Sequence, residues 1–122
     1  GLGAACDYLS AVGMQRSADY EHWLLEQLTT RLQPMDDIRI VGTAPRKAAV
    51  VSFVMRDVHP HDLGTIVDQK GVAIRTGHHC AMPVMDRFDV PGTARASMAF
   101  YNTLEDIEAL VAALDVVRRM FH

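Results

Sequence analysis

Apolar residues recur at helical spacing in several stretches of the chain and at strand-like spacing between them. Leu2, Ala5, Cys6, Leu9 and Val12 share one stripe that stops at Gly13, which predicts a short helix over residues 2–12 with Cys6 on its core side. Tyr20, Leu24, Leu28 and Leu32, with Trp23 beside them, predict a longer helix from about Ala18 to Gln33, ended by Pro34. Ile38 and Ile40 alternate with Arg39 and Val41, while Ala48 to Val54 is almost continuously apolar. Two neighbouring strands are expected there, the second buried on both faces. Leu63, Ile66 and Val67 predict a helix that starts near Pro60 or His61 and ends at Gly71, after which Val72-Ala73-Ile74 begins a short strand. Ala94, Ala96, Met98 and Phe100 fall on one face of a further strand, and Arg95, Ser97, Ala99 and Tyr101 on the other. Thr103 precedes Asp106 by three, as in a capping box, and Leu104, Ile107, Leu110, Val111, Leu114, Val117 and Phe121 continue as a terminal helix.

These elements sum to an α/β fold of the α+β small-domain kind, with a three- to four-stranded sheet covered by helices. Repeats, low-complexity tracts and charge blocks are absent, and 122 residues suit one compact unit. A hydrophobic share of 49% with 22% charged residues supports a packed core and excludes a disordered chain. The net charge of −3 offers no basic field for a phosphate backbone, so a nucleic-acid partner is not expected. No apolar run approaches bilayer length, which argues against a membrane span. Cys6 and Cys80 lie in unlike surroundings and no secretory leader is recognisable, so a reducing, cytoplasmic location is expected. The start Gly1-Leu2-Gly3, already inside an amphipathic pattern, reads as the start of a fragment.

The segment from Arg75 to Pro91 has little periodicity and much chemistry, and it reads as an active-site loop around a short turn of helix. Arg75-Thr76-Gly77-His78-His79-Cys80-Ala81-Met82-Pro83 gathers a thiol, two imidazoles and a guanidinium among turn-forming residues. A free thiol titrates near ~8.5, so neighbouring cations or helix amides would be needed to raise its thiolate fraction. The competing reading makes Cys80 a small buried hydrophobe, with the histidines merely capping the loop. His59, His61, His78, His79 and Cys80 include zinc-type donors, but no paired spacing joins them; no metal site is assigned, and His59 and His61 are expected at a helix entry. A Cys-His hydrolase would want an orienting Asn or Asp. Asn102, ahead of a helix start, is better explained as a cap or turn residue.

The run from Arg75 through Cys80 to Met85, then Val90-Pro91 and the stretch from Arg95 to Thr103, closely resembles the C-terminal part of group II cysteine desulfurases of the SufS type, a family overlapping with selenocysteine lyases. The likeness extends to Gly1–Ala5, Asp7-Tyr8-Leu9, the His59–Asp62 turn and the terminal helix, and so covers essentially the whole chain. It implies a class V aminotransferase-type enzyme that uses pyridoxal 5'-phosphate, of which this chain is about the last third. Residues 1–14 would be the remnant of the large cofactor-binding domain, disordered or repacked here, and residues 15–122 the C-terminal small domain.

By that resemblance, Cys80 matches the catalytic cysteine that takes sulfur from L-cysteine, or selenium from L-selenocysteine, and leaves alanine. Arg95 matches the arginine that clamps the substrate carboxylate, a task suited to a planar bidentate donor; the alternative for Arg95 is an ordinary salt bridge to a helix. Arg75 is assigned to substrate positioning, and His78 and His79 to shaping the loop. The resemblance further implies a homodimer, a SufE-like or SufU-like sulfur acceptor, and iron–sulfur cluster assembly as the destination. A Schiff-base enzyme needs a cofactor lysine, yet the chain has only Lys47 and Lys70, neither in the family's lysine motif. The chain alone is thus expected to bind no cofactor and to be inactive. The other reading is a free-standing persulfide-carrier or interaction domain that keeps Cys80 without enzyme activity.

Overall fold

The computed structural model describes all residues from Gly1 to His122. Five helices and four strands follow one another as α1 (Leu2–Val12), α2 (Met14–Leu32), β1 (Ile38–Val41), β2 (Val50–Met55), α3 (Pro60–Gln69), β3 (Arg75–Gly77), α4 (Met82–Phe88), β4 (Thr93–Ser97) and α5 (Leu104–Phe121). The strands form one antiparallel sheet in the order β1-β2-β4-β3. It is a small α/β domain of the expected class.

One face of the sheet carries the core. Val51, Phe53 and Met55 of β2 and Ala94 and Ala96 of β4 are buried there against Leu24, Leu28 and Leu32 of α2, Leu63 and Val67 of α3, and Ile107, Leu110, Leu114 and Val117 of α5. Each fully buried Leu or Phe among them contributes about 1.5–3 kcal/mol of transfer free energy. Pairing in the sheet puts Arg39, Ser52, Arg95 and Arg75 together on the opposite, open face. β2 is therefore buried on one face only: Val50, Ser52 and Val54 alternate with the core residues and stay half-buried. An antiparallel sheet needs a cover on a single face, and a continuous apolar run does not say how many faces are covered.

Three further expectations shift. Val72-Ala73-Ile74 is not strand; Val72 and Ile74 pack on the core as irregular chain, and the pairing with β4 falls to Arg75–Gly77. β4 stops at Ser97, because Ala99–Asn102 closes a turn in which the Asn102 Oδ1 accepts from the Ala99 N–H at 2.9 Å. α2 begins at Met14, four residues early, directly after Gly13, whose φ of +98° breaks the chain's direction between α1 and α2.

Residues 2–12 are helical as read, but no residue of α1 is buried, and Cys6 is exposed rather than in the core. The stripe is real, but it is covered only in part, at the half-buried Leu9 and Val12. At the other end of the chain, Arg118 of α5 makes a two-point ion pair with the buried Asp37 carboxylate, 2.8 Å from Nε and 2.5 Å from Nη2. This fastens α5 to the residue before β1. The Asp106 carboxylate accepts from the Thr103 N–H at 3.0 Å and from the Asn102 side chain at 3.1 Å, which sets the start of α5. Asn102 is thus a turn residue, one of the two roles that its position suggested, and Thr103 is the N-cap of α5. No helix is long and apolar enough to cross a membrane.

Candidate active site

The chemistry-rich segment runs from β3 to β4 and lies beside the open face. Arg75 pairs directly with Arg95 across the β3–β4 ladder, and Ser52 pairs with Arg95 across β2–β4. Directly opposed residues share a face, so two guanidinium groups leave the sheet side by side, an arrangement that repels. Neither has an ion-pair partner among the salt bridges of the chain, and the Arg95 Nε is buried with no hydrogen-bond acceptor. The salt bridge that would make Arg95 merely structural is not formed. A buried charged donor left unpaired is costly, and an anion on this face would remove the cost and the repulsion together.

Between β3 and α4 the chain makes a tight turn. The Ala81 N–H donates to the His78 carbonyl at 2.8 Å, and the two central residues, His79 and Cys80, have φ of +55° and +56°. Positive φ at both centres is the pattern of a type I′ turn, normally filled by Asn or Gly. Here a histidine and a cysteine occupy it, at a cost of order 1–3 kcal/mol each. Gly77, at φ +119°, and Gly92 permit the turn's approach: a Cβ on Gly92 would lie 3.0 Å from the Gly77 backbone. Cys80 is exposed at the tip, which excludes its reading as a buried hydrophobe.

The turn is tied to the sheet through His79. Its Nε2 lies 3.0 Å from the Thr93 hydroxyl oxygen and 3.3 Å from the Thr93 carbonyl oxygen. His78 lends the turn its carbonyl, and no partner engages its ring. A groove of about 220 Å³ opens between the open sheet face and α4; His79, Ala81, Ser52, Val84, Phe88 and Arg95 are among its lining residues. Cys80 therefore stands between two residues that share a groove with Arg95. Arg39 donates to the Phe88 carbonyl at 3.3 Å, which fixes the end of α4 over β1.

Ser52 and Thr93 were not legible as site residues, since small hydroxyl side chains in a strand carry no distinguishing pattern. The histidines do not converge: no group of three His, Cys, Asp or Glu side chains is placed to hold a metal ion. His59 is the N-cap of α3, its Nδ1 accepting from the His61 N–H, as its place beside Pro60 suggested. A larger cavity of about 540 Å³ between α2 and the β1–β2 loop holds neither Cys80 nor Arg95, and of its polar residues His22 and Glu26 are paired with each other at 3.1 Å and Lys47 with the Gly42 carbonyl.

The family described as aminotransferase class-V matches residues 1–110. A probable cysteine desulfurase of Streptomyces coelicolor is 47% identical over 99% of this chain, and one of Xylella fastidiosa is 51% identical over 98% of it. In both cases the chain spans about 29% of the relative's length. Among solved structures, a cysteine desulfurase of Escherichia coli in an S-sulfonic acid form superposes with a TM-score of 0.92 at 29% identity, covering 99% of this chain and 30% of that one. The apo cysteine desulfurase of Thermococcus onnurineus gives 0.86 at 34% identity over 91% of this chain and 28% of that one.

Proposed function

The chain belongs to the aminotransferase class-V family, and on that premise we propose that it is the nucleophile-bearing part of a group II, SufS-type cysteine desulfurase. One observation carries the reading: an exposed thiol on a strained turn, flanked by residues that share a groove with an unpaired arginine. Arg95, with Arg75 beside it, clamps the carboxylate of L-cysteine or L-selenocysteine. A guanidinium fork meets a carboxylate at two points and so fixes the orientation as well as the position of the substrate. With the carboxylate held, the Cys80 thiolate attacks the substrate's sulfur. The S–S bond forms as the carbon–sulfur bond breaks, the released pair stays with the carbon, and a proton there completes alanine. The sulfur remains on Cys80 as a persulfide, and an exposed turn tip leaves it open to a SufE-like or SufU-like acceptor that feeds iron–sulfur cluster assembly.

The relatives' class implies pyridoxal 5'-phosphate, which supplies an electron sink for breaking the carbon–sulfur bond. The lysines of this chain do not fit that group. Lys47 donates to the Gly42 carbonyl at 3.0 Å in the β1–β2 loop, and Lys70 is exposed at the C-cap of α3; neither lines the groove beside Cys80. We assign the cofactor to a larger domain outside these residues, with residues 1–14 as its edge and 15–122 as the small domain. On this assignment the chain alone releases no sulfide from cysteine. The parent enzyme is proposed to be a cytoplasmic homodimer.

Exposure of Cys80 also favours a second reading, a persulfide carrier without activity of its own. The two separate in an assay of this region joined to the larger domain of its protein. The enzyme reading expects alanine and sulfide from cysteine, lost in Cys80→Ser; a carrier accepts sulfur from a persulfide donor and never yields alanine.

A further inference from the structure

Two adjacent residues with side chains in the left-handed region persist only where their surroundings hold them there. Within the turn, a single backbone bond, Ala81 N–H to the His78 carbonyl, closes the loop. The other restraint comes from β4. Thr93 is 1% exposed, and its hydroxyl and carbonyl oxygens both face the His79 Nε2. The contact survives either ring tautomer. A protonated Nε2 donates to the two oxygens, and an unprotonated Nε2 accepts from the hydroxyl. Thr93 is also two residues from Arg95 on the same strand face, so one rigid strand carries both the anion clamp and the turn's anchor.

We propose that Thr93 is a positioning residue: through His79 it latches the strained turn to β4 and fixes where Cys80 stands relative to Arg95. The role in positioning a nucleophile rests on the desulfurase reading, whereas the latch itself rests only on the geometry. Without the latch, the turn loses the contact that offsets its strain, and its closing bond opens more often.

The Ala81 amide reports that opening directly. In this chain, hydrogen exchange of the Ala81 N–H speeds up about tenfold in Thr93→Val, the effect of losing one net hydrogen bond. Thr93→Ser restores the slow exchange, and the Phe53 amide in the core is unchanged in both. His79→Ala, a change outside the core, gives at least that loss, because it also removes the contact to the Thr93 carbonyl, and adding Thr93→Val to it gives no more. Unchanged Ala81 exchange in His79→Ala, or equal losses in Thr93→Val and Thr93→Ser, overturns the latch. In the full-length protein, Thr93→Val lowers kcat for cysteine while KM holds, and Thr93→Ser recovers it; a change in KM alone contradicts positioning of Cys80. If the unaltered full-length protein makes no alanine, the desulfurase reading fails while the exchange result still judges the latch.

Discussion

Arg95 shows how much one side chain can reveal at the scale of the residue. A guanidinium on a strand of small residues, opposed by a second arginine and with a buried Nε unpaired, is stable only if its partner comes from elsewhere. In the full-length protein, Arg95→Lys keeps the charge and loses the fork. KM for cysteine is expected to rise about tenfold to a hundredfold, on the order of 1.5–3 kcal/mol for a hydrogen bond to a charged group, with kcat less affected. Steady-state kinetics at saturating cofactor check this, and an unchanged KM would remove Arg95 from the clamp. Cys80 stood out in the sequence because a thiol, two imidazoles and a guanidinium crowd a segment with little apolar periodicity, whereas Arg95 was singled out by the resemblance to cysteine desulfurases. Thr93 did not stand out, since nothing local marks a threonine whose partner is 14 residues upstream. Cys6 misled for the opposite reason: its helical stripe identifies an apolar face but not what covers it.

At the scale of the element, the sheet's edge was the least legible part. Val72 and Ile74 have the stronger strand composition, yet Arg75–Gly77 makes the ladder, because the register of β3 is set by β4 and by α3 packed on it. That packing is close. A Cβ on Gly64 of α3 would lie 2.6 Å from the Thr76 Cγ2. Gly64→Ala is therefore expected to destabilise the fold by about 1–3 kcal/mol despite alanine's better helix propensity. Thr76→Ser, which removes that methyl, should recover most of the loss. Urea midpoints of the three chains test it; a stabilised Gly64→Ala would show that α3 is not pressed against β3. The helices α3 and α5 were readable almost to their ends, since His59-Pro60 and the Thr103–Asp106 box carry their start signals in the sequence.

For the whole molecule, the fastening between Asp37 and Arg118 predicts an acid limit. The hydrogen bonds from Arg118 hold the Asp37 carboxyl below the ordinary carboxylate range, outweighing the opposing effect of burial. A lowered folded value means that the stabilisation is complete above the unfolded value of about 3.9 and disappears as pH falls through the folded one. Asp106, held low by the Asn102 side chain and the Thr103 N–H, acts in the same window. Stability should be level on this account from neutral pH down to about 5 and drop below about 4, with a shallower drop in Asp37→Asn. Denaturation midpoints against pH measure both curves, and matching slopes would deny Asp37 the role. At the other end of the chain, α1 buries no residue, so deleting residues 1–13 should leave the midpoint nearly unchanged. A large loss would mean that α1 belongs to this core.

The measurement closest to the central claim is peptide mass spectrometry of the full-length protein after turnover with L-cysteine and without reductant. The account predicts one added sulfur atom on the peptide containing Cys80, none on the peptide containing Cys6, and no alanine from Cys80→Ser. Alanine formed while Cys80 carries no sulfur, or at an undiminished rate in Cys80→Ser, would contradict it.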